Sequence, residues 1–307
     1  MKSDFLSLAD LTPQGLTALL DRAATVKAAW KSGRRDAPLA HKSLALVFQK
    51  PSLRTRASFD VGMYHLGGHA LYLSPDEIKL GHRESVPDAA RVLSRYVDGI
   101  MARVFAHSDV TALAEWASVP VINGLSDYNH PCQGLTDLLT IREKLGKLDQ
   151  VQLTYLGDGN NVLHSLMFGA ALSGMRLVAS TPEGYDADPK VVRIAERLAQ
   201  QTGAEIVLER DPRKAILDSD VLYTDTWTSM GQEQEAALRR AIFPAYQINE
   251  SLLSLAKPEA GVMHCLPAHR GEEITDAVAD GPQSWLFDQA ENRLHAQKAI
   301  LLALLED

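Results

Sequence analysis

Cysteine is nearly absent from this chain. Cys132 and Cys265 are the only two, too few for a disulfide framework and in keeping with a reducing compartment. Long apolar runs are missing as well. No stretch is long enough to span a bilayer, and Met1 to Gln14, which carries Lys2, Asp4 and Asp10, holds no apolar core of a secretory leader. The expectation is a cytoplasmic protein with no membrane partner. Nor is there an excess of basic residues. A net charge of −8 argues against a general binder of nucleic acid or of anionic membranes, so any anion site must be a local cationic pocket on an acidic body. Internal repeats and low-complexity segments are also lacking. What remains is an ordinary globular composition, 46% hydrophobic and 23% charged. At 307 residues the chain should form two domains, because single cores stop growing near about 250–300 residues.

The densest chemistry lies in Lys50-Pro51-Ser52-Leu53-Arg54-Thr55-Arg56. Before it, the apolar run Ser43 to Phe48 reads as a buried strand; after it, Ala57 to Leu66 carries a helical pattern. Pro51 suits a strand exit because it donates no ladder hydrogen bond. Ser52, Thr55 and two arginines then crowd a strand-to-helix turn. Free N–H groups and the positive end of the helix dipole meet hydroxyls and guanidinium forks there, a socket for a phosphate-sized anion. The plainer reading makes Ser52 an N-cap and leaves the arginines in water.

Thr12-Pro13 opens a helix that runs to about Trp30. Elements then alternate. Strands are expected at His69–Leu73, Gly99–Val104 and Val119–Asn123, with helices from Ser58, from Val86 and over Val110–Ala117, and a loop at Ser74–Ser85. A long helix follows at Gln133–Leu145. The second series has strands at Gln152–Leu156, Arg176–Ser180, Glu205–Glu209, Val221–Thr224 and Val262–Cys265, and a last helix at Glu291–Leu305. Such alternation implies parallel strands with helices on both faces. The expected fold class is α/β, with two similar-sized domains, each a parallel sheet flanked by helices. Residues 1–134 form the first, with helix 291–307 packing back on it; residues 135–150 bridge; residues 151–290 form the second. In such sheets ligands sit beyond the carboxyl ends of strands. Polar clusters fall there repeatedly, which points to one interdomain active site.

Each cluster has two readings. Arg103, flanked by apolar residues, needs an anion or an internal salt bridge. His130 and Gln133, at the start of the long helix, either donate to a carbonyl or phosphate oxygen or merely cap that helix. Cys132 reads as a small buried filler. Gly157-Asp158-Gly159-Asn160-Asn161 invites a dinucleotide reading, but Val162 stands where the third glycine belongs, and the next strand ends at Ser180-Thr181 with no acid for a ribose. Asn161 is better read as a neutral hydrogen-bonding group facing a ligand, or as a turn former. Asp225 either meets an amine or caps a helix, and Ser229-Met230-Gly231 form a small turn able to close over a ligand. His264-Cys265-Leu266-Pro267 ends a strand; its spacing to His130 and Cys132 matches no zinc pattern, so no metal is expected. The Leu266-Pro267 bond is a candidate for cis, which would aim backbone carbonyls at a ligand. Arg293 reaches the ligand or pairs with an acid such as Asp288.

Taken together, these stretches resemble the transcarbamylase family, and its ornithine branch in particular, over essentially the whole chain. Ser52 to Arg56 resembles the family's carbamoyl-phosphate signature, and His130-Pro131-Cys132-Gln133 its second. Asp225-x-x-x-Ser229-Met230-Gly231 and His264-Cys265-Leu266-Pro267 resemble the ornithine-branch signatures. The resemblance implies that Ser52, Leu53 (through its backbone), Arg54, Thr55 and Arg103 hold a phosphate. It assigns His130, Gln133 and Arg293 to the carbamoyl group, whose NH₂ donates to the carbonyls of Cys265 and Leu266. Arg56 would stand behind them. Asn161, Asp225, Ser229 and Met230 would bind L-ornithine, with Asp225 near its α-amine. A homotrimer is implied, each site receiving the neighbour's loop Asp76–Ser85; Lys79 stands in that loop where many relatives carry Gln or His.

The reaction so implied is carbamoyl phosphate plus L-ornithine to L-citrulline and phosphate, a step of arginine biosynthesis, with Cys265, Asp225, Arg103 and His130 catalytic and no cofactor. Its rivals are a sister transcarbamylase using another amine, a nicotinamide dehydrogenase and a non-catalytic anion binder. Asp225 favours a cationic amino acid over aspartate.

Overall fold

The computed structural model describes residues 3–228 and 232–306. Contacts divide the chain into two compact units, Met1–Leu139 with Glu291–Asp307, and Thr140–Ala290.

The first unit holds four parallel strands, β1 (Ser43–Phe48), β2 (His69–Leu73), β3 (Gly99–Arg103) and β4 (Val121–Leu125), in the order β2-β1-β3-β4. The apolar run of β1 is buried on both faces beyond its first residue, as a central parallel strand requires. Edge strand β2 alternates between exposed and half-buried positions. The other edge is covered by the N-terminal segment. Phe5 N donates to Val121 O at 2.9 Å, Asn123 N donates to Phe5 O at 2.9 Å, and Asp4 Oδ1 accepts from Val121 N at 2.7 Å. Pairing an exposed edge in this way removes a template for aggregation. Around the sheet lie α1 (Pro13–Lys31), α2 (Leu53–His65), α3 (Pro75–Ile78), α4 (Val86–Leu93), α5 (His107–Trp116) and α6 (Pro131–Leu145). One core joins Ala45 and Val47 of β1 to Ile100 and Ala102 of β3, Ala90 of α4 and Leu113 of α5.

The second unit is a five-stranded parallel sheet built from β5 (Gln152–Leu156), β6 (Arg176–Ser180), β7 (Glu205–Leu208), β8 (Val221–Thr224) and β9 (Gly261–His264), ordered β7-β6-β5-β8-β9. Its helices are α7 (Asn161–Ser173), α8 (Pro189–Ala199), α9 (Pro212–Ala215), α10 (Ala236–Ile242), α11 (Glu250–Leu253), α12 (Asp276–Ala279) and the first turn of α13 (Leu286–Leu305). Trp285 seals the β9 edge: its N–H donates to Val262 O at 2.8 Å.

Two parallel sheets flanked by helices match the α/β expectation, and the differences are local. Helix α2 begins at Leu53 rather than near Ser58, because Ser52 caps it by accepting from Thr55 N. The two arginines therefore lie in the first helical turn. The loop Ser74–Ser85 contains α3, which carries a capping box between Ser74 and Glu77. Helix α13 starts at Leu286, not Glu291, with Asp288 favourably placed in its first turn. Among the described residues no helix is long and apolar enough to cross a membrane.

Candidate functional site

In each unit the polar residues singled out above lie beyond the carboxyl ends of strands, at or next to the point where the strand order reverses. In the first, chain order runs from β1 outward to β2 and then back across to β3. Loops leaving adjacent strands at such a point diverge and leave a crevice. Thr55 follows β1, Arg103 ends β3, and His130 and Gln133 follow β4.

Thr55 is fully buried, and its Oγ1 accepts from Arg103 NH1 and from Arg293 NH2, each at 3.2 Å. Arg293 NH1 also donates to Gln133 Oε1 at 2.7 Å, and Gln133 Nε2 donates to Asp137 Oδ1 at 2.7 Å. Asp288, the other partner considered for Arg293, instead pairs with Lys144 at 2.5 Å. Two buried guanidinium groups thus converge on one neutral hydroxyl, an arrangement suited to a multiply charged oxyanion. The charge is felt around it. Burial, with Arg293, Arg103, Lys50 and Arg54 nearby, holds His130 well below its ordinary range, so its imidazole is a neutral hydrogen-bonding group. Burial, and secondarily Arg103, lowers Lys50 to about 8 against the opposing pull of Asp127.

Ser52 is the N-cap, and Leu53 is 78% exposed, leaving its backbone as the useful part. Arg54 is half-buried. Arg56 turns away, its guanidinium 3.8 Å from the Tyr72 ring centroid. Cys132 is wholly buried, its Sγ donates to Asn123 O at 3.4 Å, and burial pushes the thiol up to about 12. It is an inert filler. Lys79 is exposed and closes α3 in a left-handed conformation, φ 39°.

In the second unit the order reverses between β5 and β8. Asn160 and Asn161 follow β5, Asp225 follows β8 and Cys265 follows β9. Asp225 is buried, and both its oxygens are occupied. Cys265 Sγ donates to Oδ1 at 2.8 Å, Thr226 N donates to Oδ1 at 2.8 Å, and Asn160 Nδ2 donates to Oδ2 at 2.7 Å. The competing reading of Asp225 as a helix cap does not hold, since the residues directly after it, Thr226 to Thr228, are not helical. Asn160 also caps α7, its Oδ1 accepting from Val162 N and Leu163 N. Asn160 thus ties Asp225 to the start of α7, of which Asn161 is the first residue. Ser229 and Met230 lie outside the described residues.

Two supporting residues, Glu273 and Arg239, carried no sequence signal. Glu273, fully buried, accepts from His264 Nε2 at 3.0 Å, while His264 Nδ1 accepts from Leu266 N at 2.8 Å. That pair of contacts fixes the imidazole tautomer and holds Leu266 at φ 58°, next to the cis Leu266-Pro267 bond. Arg239 donates to Trp227 O at 2.7 Å and lies 3.0 Å from Asp158 Oδ2, bracing the segment after Asp225. Gly159 explains why the glycine pair is not a dinucleotide cradle. A Cβ there would sit 2.2 Å from the carbonyl carbon of Asp186 and 2.3 Å from Ala187 N, so the chain itself fills the space. The donor atoms of Asp225, His264 and Cys265 all lie within 4.8 Å of one another.

A sheet carrying converging guanidinium groups and a second sheet carrying a carboxylate–thiol pair define a two-domain α/β protein with an oxyanion cluster and a separate acid–thiol cluster. The family model described as "Aspartate/ornithine carbamoyltransferase, carbamoyl-P binding domain" matches residues 3–143, and that described as "Aspartate/ornithine carbamoyltransferase, Asp/Orn binding domain" matches residues 149–304. The chain belongs to the aspartate/ornithine carbamoyltransferase family. It is 55% identical to an ornithine carbamoyltransferase of Pyrococcus abyssi over 302 residues, 98% of this chain and 95% of that one. Against the solved ornithine carbamoyltransferase of Pyrococcus furiosus the TM-score is 0.96 at 54% identity, covering 99% of this chain and 96% of that one. Against that of Thermus thermophilus it is 0.89 at 45% identity, covering 99% of each.

Proposed function

We propose that this protein transfers the carbamoyl group of carbamoyl phosphate to the δ-amine of L-ornithine, giving L-citrulline and phosphate in the direction of arginine biosynthesis. The observation that carries this reading is the Asp225–Cys265 contact flanked by Asn160, a cluster fit for a cationic amino acid, in a chain whose first unit concentrates buried arginines. The Pyrococcus furiosus relative, 54% identical over 302 residues, is named as an anabolic ornithine carbamoyltransferase, which supports the direction.

In this reading both clusters serve one reaction. Ser52, the Leu53 backbone, Arg54, Thr55 and Arg103 hold the phosphate. His130, Gln133 and Arg293 address the carbamoyl oxygen, and the carbonyls of Cys265 and Leu266 accept from its NH₂. Asn161, Asp225, Ser229 and Met230 bind ornithine, with Asn160 fixing the Asp225 carboxylate that faces the α-ammonium. An amine with a pKa near ~10.4 is neutral at pH 7 at a cost of about 4–5 kcal/mol. Cationic surroundings lower that cost by disfavouring the ammonium. The neutral δ-amine attacks the carbamoyl carbon, the C–O bond to phosphate breaks, and the proton leaves through the Cys265–Asp225 pair. Arg54, Arg103 and neutral His130 stabilise the charge that develops on the carbonyl and phosphate oxygens. Positioning of the two reactants supplies much of the rest.

A homotrimer, with the loop Asp76–Ser85 and its Lys79 serving the neighbour's site, and a cytoplasmic location complete the reading; sedimentation equilibrium tests the former. The decisive assay is citrulline formation across a panel of amines. Turnover with ornithine alone supports the assignment, and turnover with aspartate, putrescine or an N-acylated ornithine in its place refutes it.

A further inference from the structure

We propose that His269, Glu272 and Glu273 form a site for a divalent cation of zinc-like chemistry, separate from the cluster around Asp225. The turn that builds it is short. Glu272 N donates to His269 O at 2.8 Å, with Gly271 at φ 86° in the third position, so His269 is folded back against the two glutamates. The ligand atoms of all three residues lie within 4.8 Å of one another.

Glu273 points to an occupant. Its side chain is 0% exposed. Oε1 accepts from His264 Nε2 at 3.0 Å and from His269 N at 2.6 Å, but Oε2 is buried and has no hydrogen-bond partner. A buried carboxylate oxygen without a donor is unfavourable and uncommon. His269 Nδ1 lies 3.9 Å from it, too long for a hydrogen bond and suited to two ligands flanking an ion. Glu272 is held on one oxygen by Arg240 Nε at 2.9 Å. Arg240 is 60% exposed in its side chain, so that pair is weak and an ion can replace it. One imidazole and two carboxylates suit zinc or cobalt, with water completing the shell, better than calcium or magnesium, which favour oxygen ligands alone. His269 Nδ1 shares a hydrogen bond with Thr226 Oγ1 at 2.9 Å, which an ion bound to Nδ1 would replace and which places the site beside the segment that follows Asp225.

The test separates this site from the thiol-containing cluster. The full-length Cys265→Ala protein is titrated with Co²⁺, read by calorimetry and by visible absorption. One ion per chain is expected, with ligand-field bands and no thiolate-to-cobalt band, and Zn²⁺ should displace it. His269→Ala and Glu272→Gln, both made in that background, should each weaken binding at least tenfold, while Asp276→Asn, a nearby exposed acid, should leave it unchanged. The absence of Co²⁺ binding overturns the proposal. So does binding that survives both variants but is lost in Asp225→Asn, which would assign the ion to the Asp225 cluster.

Discussion

Thr55→Val is the sharpest probe of the oxyanion cluster, because it removes one buried oxygen and changes little else. The hydroxyl accepts from Arg103 and Arg293 at 3.2 Å each. Hydrogen bonds involving a charged group are worth roughly 1.5–3 kcal/mol apiece. Both guanidinium groups keep other contacts and can turn toward water or ligand, so the two losses will not add fully. About 2–4 kcal/mol is expected in all, equivalent to roughly 30- to 1,000-fold in an equilibrium constant. If Thr55 sets the arginines for the donor, most of that appears in carbamoyl-phosphate binding. The assay is initial-rate kinetics with both substrates, paired with calorimetric titration of carbamoyl phosphate and a melting curve. A rise in KM for carbamoyl phosphate of about 30-fold or more, with ornithine KM nearly unchanged, is the expected pattern. A variant with wild-type carbamoyl-phosphate affinity and an undiminished Tm would refute the reasoning, since the two contacts would then carry no energy.

Cys265→Ala should lower kcat far more than carbamoyl-phosphate affinity, because the thiol contacts Asp225 at 2.8 Å; stopped-flow and steady-state rates decide it, and unchanged turnover removes the thiol from the mechanism. Gly159→Ala forces a methyl group against the backbone of Asp186 and Ala187 and should destabilise by about 1–3 kcal/mol or more, read as a lower urea midpoint; an unchanged midpoint would mean this segment yields freely. His295 is held down to about 4, chiefly by burial, although its bond to Glu291 opposes the shift. The unfolded chain takes up a proton near pH 6.5 while the folded one does not. This group's contribution is therefore complete above pH 6.5 and declines as pH falls toward 4. Urea titrations across that window should show stability decreasing with acid and a shallower decline in His295→Gln; equal slopes would exclude it.

What could be read ahead of the coordinates followed the local rules of the chain. The strand runs at Ser43, His69, Gln152, Arg176 and Val221 are apolar segments bounded by turns, and β1, β2, β5, β6 and β8 occupy them. Boundaries slipped where a cap outweighed the apolar pattern, as at Ser52, or where the pattern gave no start, as at Leu286. The clusters were legible because parallel sheets present strand ends on one side, and the residues there are polar against an apolar background.

By itself the sequence determined the alternation of strands and helices, the acidic body with local arginines, and the ordered motifs of the family, because each depends on spacing within a few residues. The tertiary structure alone decided which of these groups touch. Arg293 meets Gln133 from 160 positions away, Asn160 meets Asp225, and Glu273 orients His264. Those pairings arise from strand order and from the loops that leave adjacent strands, and no local periodicity encodes which strand lies beside which.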